Sequence, residues 1–329
     1  MTKKKWTFDP FEGYNGNLEW LQRRTVFVTV HGSQSYGTSI PTSDIDVKGL
    51  VIPPPPYFHG FAKNFEQVEG NEPYDMTIYG LRKFLKLASN CNPNIIEVLF
   101  TDPEDWVIET ALYRKLWTRR ELFLSRKARY TFSGYAKQQL KRIKGHKRWL
   151  LEPPTHKPTR EEFGLPTDRK LSASEMGATE KLVADDNVTL DSDVMRLFNK
   201  EQSYQSALRG WTQYQSWKRT RNVKRAKLEA EFGYDTKHAG HLVRLMRMCR
   251  EILTDGTVNV KRPDAEELLA IRHGAWSYDE LIEWADKQDA EMQVLYDTST
   301  LPVQPRTEEI DLLCQELVEE ALQHSDLRY

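Results

Sequence analysis

Apolar and polar positions follow a strand-like pattern in the first third of the chain and a helical one afterwards. Short runs rich in β-branched and aromatic residues predict strands at 25–31, 44–52 and 74–79. The spacing of apolar residues over 81–88 predicts a helix directly after the third strand. Strands interleaved with helices indicate a small α/β or α+β domain over residues 1–125.

From residue 126 onward the pattern is mainly helical. A basic helix is predicted over 126–150, followed by a proline-rich and polar stretch at 152–198 that we interpret as a long loop or partly ordered insertion. Further helices are predicted over 204–232, 236–253, 263–271 and 277–296. The expected architecture is therefore α+β: an N-terminal domain over 1–125 and a mostly helical domain over 126–329 that contains the insertion.

Composition excludes several classes of protein. The formal net charge is −1, so any affinity for nucleic acid must come from local patches. The three cysteines are far apart, which favours reduced thiols over a zinc site or a disulfide framework. No apolar run is long enough to span a membrane, and the basic start does not lead into an apolar segment. We expect a soluble, cytoplasmic protein without a membrane partner.

A run of small polar residues follows the first predicted strand. It contains Gly32, Ser33, Tyr36, Gly37 and Thr38. Glycine lets the backbone approach a ligand closely and expose its N–H groups, and the serine hydroxyl adds a donor. This segment is suited to bind phosphate, and a short helix beginning here would favour a triphosphate.

Three acidic residues lie on the next two predicted strands. Asp44 and Asp46 are two positions apart, so on a strand both carboxylates face the same side. Adjacent carboxylates repel each other unless a cation neutralises them, and Mg²⁺ or Mn²⁺ fits such oxygen ligands. Asp75 lies between apolar neighbours and is predicted to complete the metal site and to orient an attacking hydroxyl. The competing interpretation is a solvated turn rich in Ser, Thr and Asp.

The predicted helix 236–253 carries a cationic face. Lys237, His241 and Arg244 follow one another at i, i+4 and i+7, and His238 lies beside them. Lys237, His238 and His241 are predicted to bind a nucleotide, because cations near a helix start attract phosphate. The alternative is an amphipathic helix with a solvated basic side. Glu97 and His31 are interpreted as structural residues.

Two basic stretches are accompanied by aromatic residues, interleaved in the first and preceding the second. Residues 126–148 hold nine Lys or Arg and residues 218–227 hold six, with no acid in either, a composition that suits a nucleic acid. Alternatively, the aromatic side chains form a core and the cations are solvated. The candidates for nucleic-acid contact are Arg142, Lys144, Lys218, Arg219 and Arg221.

Gly32-Ser33, Asp44-Ile45-Asp46 and the later strand acid Asp75 together resemble the signature of the DNA polymerase β-type nucleotidyltransferase superfamily. The blocks at 82–87, 92–100 and 233–245 look like the RNA-ligase-associated predicted nucleotidyltransferases (RlaP-like), common in phages and bacteria.

This resemblance implies a small mixed-sheet nucleotidyltransferase domain. It also implies Mg²⁺ (or Mn²⁺), an NTP donor and transfer of a nucleoside monophosphate to a hydroxyl. The association with RNA ligases implies RNA repair or RNA-end modification, with RNA as acceptor and an RNA ligase or other repair enzyme as partner. The setting would be a bacterial or phage-infected cytosol.

Two other functions stay open on the sequence. The same site could transfer the nucleotide to a protein hydroxyl, as in nucleotidylating toxins. The chain could also be a non-catalytic partner of a ligase that binds nucleotide or RNA. The identity of the base and of the acceptor depends on pocket shape, which no short motif encodes.

Overall fold

A computed structural model describes residues 5–70, 72–167, 173–183, 191–324 and 326–327. The chain divides into two compact units: the first comprises Met1–Ile143 and Thr236–Tyr329, and the second Lys144–Asp235. No helix in the described part of the chain combines the length and the apolar character needed to cross a lipid bilayer.

The first unit is built on a mixed sheet. Its strands are β1 (Thr25–His31), β2 (Asp46–Val51), β3 (Gln67–Gly70), β4 (Asp75–Gly80) and β5 (Trp106–Glu109). The described strands are ordered β3-β4-β2-β1-β5. Only the β2–β4 pair is parallel, and the other neighbours in this sheet are antiparallel. A small mixed sheet followed by a mostly helical region confirms the α+β expectation.

The two faces of the sheet have different chemistry because side chains alternate along each strand. On one face, Val30, Val47 and Met76 belong to a buried apolar cluster that also contains Phe11 and Leu21 of the N-terminal segment. The alternate positions face the other way and carry the polar residues of the candidate site. One face therefore anchors the sheet and the other is available for chemistry.

Helices complete both units. In the first unit these are α1 (Leu21–Arg24), α2 (Ser33–Tyr36), α3 (Pro56–His59), α4 (Leu81–Ser89), α5 (Pro93–Leu99) and α6 (Ala111–Trp117). Helix α7 (Ala128–Leu151) starts in the first unit and ends in the second, where α8 (Ala173–Val183), α9 (Ser192–Thr220) and α10 (Val223–Phe232) follow. The chain then returns to the first unit with α11 (Thr236–Asp255), α12 (Ala265–Arg272), α13 (Tyr278–Thr298) and α14 (Thr307–Leu322).

Local signals explain several element boundaries. Strand β1 spans the predicted residues, and the capping box at the start of α13 is present, with Ser277 N–H donating to Glu280 Oε2 at 2.7 Å and Glu280 N–H donating to Ser277 Oγ at 3.2 Å. The helix predicted over 204–232 is interrupted, because the Asn222 side chain accepts from Arg225 N–H at 3.2 Å and caps a new helix.

Of the two interpretations of residues 152–198, a long loop or a partly ordered insertion, the loop is wrong in the second half of this stretch, which contains helix. Helix α8 covers 173–183, and α9 begins at Ser192, where the Asp191 side chain accepts from Asp193 N–H at 2.8 Å. Residues 168–172 and 184–190 of the predicted insertion lie outside the described residues. The polar composition suggested a loop, but an N-cap and an intact helical run decide the local structure here.

Candidate active site

Three polar residues lie side by side on the polar face of the sheet. His31 ends β1 and is the register partner of Asp46, which begins β2. Asp46 is in turn paired with Asp75, which begins β4. Directly paired residues project on the same face of a sheet, with strands about 4.8 Å apart. The structure therefore brings the carboxylates of Asp46 and Asp75 together and places a histidine on the other side of Asp46.

Asp44 does not belong to the row formed by His31, Asp46 and Asp75. The strand predicted to begin at Asp44 begins at Asp46, because the chain first makes a turn in which Ile40 N–H donates to Ser43 Oγ at 2.9 Å. The same-face argument for residues two apart on a strand therefore does not apply to Asp44, which is exposed.

The charges around Asp46 suit a bound cation. Burial raises the pKa of Asp46, and the neighbouring Asp75 raises it further, whereas His31, Lys48 and Lys237 lower it without cancelling the net upward shift. The side chain of Asp75 is 61% exposed, so a ligand can reach it. A hard divalent ion such as Mg²⁺ prefers carboxylate oxygens, and two adjacent carboxylates supply them here. A bound cation would also stabilise the ionised form of Asp46, which burial disfavours. The residues present fit the implied metal.

Gly32 allows the loop after β1 to approach this row. Its φ of +69° is in the region that favours glycine, and a Cβ built on it would lie 2.0 Å from Asp46 Oδ2. The short helix predicted after Gly32 is present as α2 and spans four residues. The loop thus lies against the carboxylate of Asp46, which is fourteen residues after Gly32 in the sequence.

A cavity of about 230 Å³ lies beside the loop. Gly32, Ser33, Tyr36, Thr38 and Asp46 line it. The rest of its lining comes from α11 and α12 and includes Lys237, Gly240, His241, Arg244, Leu268, Leu269 and Arg272. The structure therefore brings the N-terminal loop together with two of the three α11 residues predicted to bind a nucleotide, Lys237 and His241. His238 is buried and does not line the cavity, and neither does Gly37.

A buried ionic network fixes α11 to the sheet domain. Arg244 Nη1 lies 2.5 Å from Glu97 Oε1, and its guanidinium carbon is 3.8 Å from the ring centroid of Tyr36. The Tyr36 hydroxyl donates to Glu97, and His31 Nε2 lies 3.5 Å from Glu97 Oε2. Burial raises the pKa of Glu97, but Arg244, His31 and Tyr36 together hold that pKa well below its usual range. Glu97 thus connects β1, α2 and α11.

Arg272 is a site residue that sequence reasoning missed. Arg247 and Arg262, two other arginines of this region, pair with nearby carboxylates. Among the described residues, no carboxylate lies within ion-pair distance of Arg272, although it is half-buried in the cavity wall and burial lowers its pKa. Its only sequence signal is a basic residue at the end of a helix, which is common and uninformative.

The basic stretches have a mixed environment. Arg142, Lys144, Lys218 and Arg219 are exposed. Arg221 instead donates through Nε to Glu229 at 2.9 Å and lies 4.7 Å from the Trp217 ring centroid. The aromatic residues of the second unit pack on one another, with Trp149, Tyr214 and Trp217 in mutual ring contact, so these rings form a local core there.

A second, open cleft of about 1220 Å³ lies between the N-terminal segment and strands β3 and β4. Its described lining residues include Glu12, Glu69 and Glu72 and contain no Lys or Arg. Although this cleft is larger, it disfavours phosphate, because its charge has the wrong sign. The smaller cavity is therefore the better candidate for a phosphate ligand.

Comparison with known proteins gives one family model and one partial relative. The family model RlaP, described as the RNA repair pathway DNA polymerase beta family, matches residues 9–153. An uncharacterized 38.9 kDa protein in the nrdC-mobD intergenic region of Enterobacteria phage T4 is 31% identical over 90 residues, which are 25% of this chain and 27% of that protein. The chain thus matches about a quarter of the length of that relative. No solved structure matches significantly. Over residues 9–153 the chain is therefore similar to the RlaP family, the family that its motifs resemble.

Proposed function

We propose that this protein is a Mg²⁺-dependent (or Mn²⁺-dependent) nucleotidyltransferase that transfers a nucleoside monophosphate from an NTP to a hydroxyl, with an RNA end as the acceptor. The observation that carries the proposal is the composition of the 230 Å³ cavity, which joins the Gly32-Ser33 loop and Asp46 to the cations of α11 and α12. The family description, RNA repair pathway DNA polymerase beta family, supports the same reaction class.

The loop and the helices would hold the triphosphate. Gly32 lets the phosphates approach the backbone, and the Ser33 hydroxyl can donate to them. Lys237 and Arg272 line the same space and would supply positive charge to the β- and γ-phosphates. His241 Nδ1 lies 3.0 Å from Arg244 Nη2 and accepts from it, so the His241 ring would donate to a phosphate through Nε2. Arg272 has the strongest claim among them, because a half-buried guanidinium without a carboxylate partner in the described residues gains most from an arriving anion.

The carboxylates would act at the reacting phosphate. Asp46 and Asp75 would hold the metal, with Asp44 as a third proposed ligand. A metal ion held by these residues would stabilise the charge at the α-phosphate and would lower the pKa of the attacking hydroxyl. Asp75 is the exposed member of the pair and is therefore the side chain that an acceptor reaches first.

RNA is the acceptor that the charge distribution favours. The exposed cations Arg142, Lys144, Lys218 and Arg219 can contact a phosphate backbone. An RNA ligase is the partner implied by the family resemblance. Arg221 contributes less in this proposal, because it already pairs with Glu229.

The test is incubation of the purified protein with each α-³²P-labelled NTP, Mg²⁺ or Mn²⁺, and either a panel of RNA ends or a protein fraction. Label should appear on RNA, and Asp46→Asn should lower the transfer by more than about 100-fold, because loss of a metal ligand exceeds the usual cost of losing an outer-shell partner. Asp297→Asn, at an exposed position of α13, is the matched control and should retain activity.

The other outcomes decide between the alternatives. Label on protein would identify a protein hydroxyl as the acceptor. Nucleotide binding without pyrophosphate release, with every acceptor tested, would identify a non-catalytic binding partner. Wild-type activity in Asp46→Asn would refute the proposed metal site.

A further inference from the structure

Lys48 places a positive charge next to the carboxylates of Asp46 and Asp75, which form the carboxylate row. It lies two residues after Asp46 on β2, so its side chain projects on the same face of the sheet. Its Nζ donates to Thr77 Oγ1 at 2.9 Å and lies 3.7 Å from Asp75 Oδ1. The Lys48 side chain is only 19% exposed, which limits how far the ammonium group can move away.

The position of Lys48 has an electrostatic consequence for metal binding. An ammonium group next to Asp75 partly neutralises the row, and it also repels a second cation that approaches the same carboxylates. A nucleoside triphosphate brings several negative charges into the cavity next to the row. These charges offset the repulsion, so a metal ion experiences a more favourable field when the nucleotide is present than when it is absent.

We propose that Lys48 makes metal binding at the Asp46–Asp75 row depend on the nucleotide: it weakens binding of the free ion and favours loading of the metal together with the triphosphate. This inference rests on the proposed function, because it takes the row as the metal site. It assigns Lys48 a positioning and regulatory role that the acidic motif alone does not indicate. By linkage, the metal must tighten nucleotide binding by the same factor as the nucleotide tightens metal binding.

The experiment measures Mn²⁺ binding by electron paramagnetic resonance or calorimetry, with and without a non-hydrolysable NTP analogue. The proteins compared are the wild type, Lys48→Met, Lys48→Arg and Lys287→Met, the last at an exposed position of α13. Lys48→Met should bind Mn²⁺ alone about tenfold more tightly, since one repelling charge at close range is removed. Its nucleotide-induced tightening should shrink by about the same factor.

The controls separate charge from structure. Lys48→Arg and Lys287→Met should behave as the wild type, because both leave the charge at the row unchanged. Lys48→Gln serves as a second neutral variant that can still hydrogen-bond to Thr77, and it should reproduce the effect of Lys48→Met. Unchanged or weaker Mn²⁺ binding in both neutral variants would overturn this inference while leaving the proposed function intact. Absence of Mn²⁺ binding in the wild type even with nucleotide would instead refute the proposed function, and this inference with it.

Discussion

Substitution of Glu97 by glutamine should destabilise the first unit by several kcal/mol. Glu97 and Arg244 are both buried, and Arg244 Nη1 lies 2.5 Å from Glu97 Oε1. The amide removes the negative charge and leaves the guanidinium buried without a counter-ion. Breaking one partner of a buried pair costs about 3–5 kcal/mol. We expect the lower end of that range, because the glutamine oxygen can still accept from the Tyr36 hydroxyl.

A double-mutant cycle isolates the interaction. Glu97→Gln and Arg244→Met each leave one polar partner unsatisfied, whereas the double variant removes both charges. The double variant should therefore be less destabilised than the sum of the single variants, by about 1–3 kcal/mol. Urea unfolding gives the free energies, and hydrogen exchange of amides in β1 and α11 assigns them to the first unit.

Two results would refute this reasoning. A cost below about 1 kcal/mol for Glu97→Gln would mean that the pair is not isolated from water as the structure has it. Strict additivity would mean that the two side chains do not depend on each other. The pH dependence gives an independent check. The pKa of Glu97 is depressed in the folded protein, so its contribution is complete above the unfolded value of about 4.3 and is lost as the pH falls below it.

The remaining predictions concern the cavity. Gly32→Ala places a Cβ 2.0 Å from Asp46 Oδ2 and should lower kcat/KM by about 100-fold through displacement of that carboxylate. Gly37 is also at positive φ, but a Cβ added there would lie 3.5 Å from Ala265 Cβ, so Gly37→Ala should cost about 1–2 kcal/mol of stability and little activity. Equal losses of activity in Gly32→Ala and Gly37→Ala would contradict the role of Gly32 next to Asp46. Arg272→Met should weaken NTP binding, measured by calorimetry, about ten- to 100-fold and should leave the thermal midpoint unchanged. The control Arg250→Met, at an exposed position, should leave NTP binding unchanged.

The sequence predicted those features that depend on neighbouring residues. Strand β1 was recognisable from its β-branched residues, and the start of α13 from its capping box, because both signals are contained in a few positions. The glycine after β1 was also recognisable as a site of close backbone approach. The structure shows why residue 32 is a glycine: a Cβ at this position would overlap the Asp46 carboxylate.

Strand boundaries and helix breaks were less predictable. The first residue of β2 is set by pairing with His31 and Asp75, which lie on two other strands, so the local run of residues could not exclude Asp44 from the ladder. The strands β3 and β5 are four residues each, too short to give a clear alternation. The partner of β5 is β1, which is distant in the sequence, whereas β3 pairs with β4, the next strand along the chain.

Charge pairing explains why the second wall of the cavity was only partly foreseen. The basic spacing on α11 indicated a phosphate-binding face, but a basic spacing cannot distinguish a cation that is neutralised within the protein from one that is not. Arg244 belongs to the first kind, because Glu97 meets it from a helix 147 positions earlier. Arg272 belongs to the second kind among the described residues. Because Arg244 pairs with Glu97, it forms a fixed part of the cavity wall. Arg272, which has no carboxylate within ion-pair distance among the described residues, lies on α12, where no sequence motif indicated a binding residue.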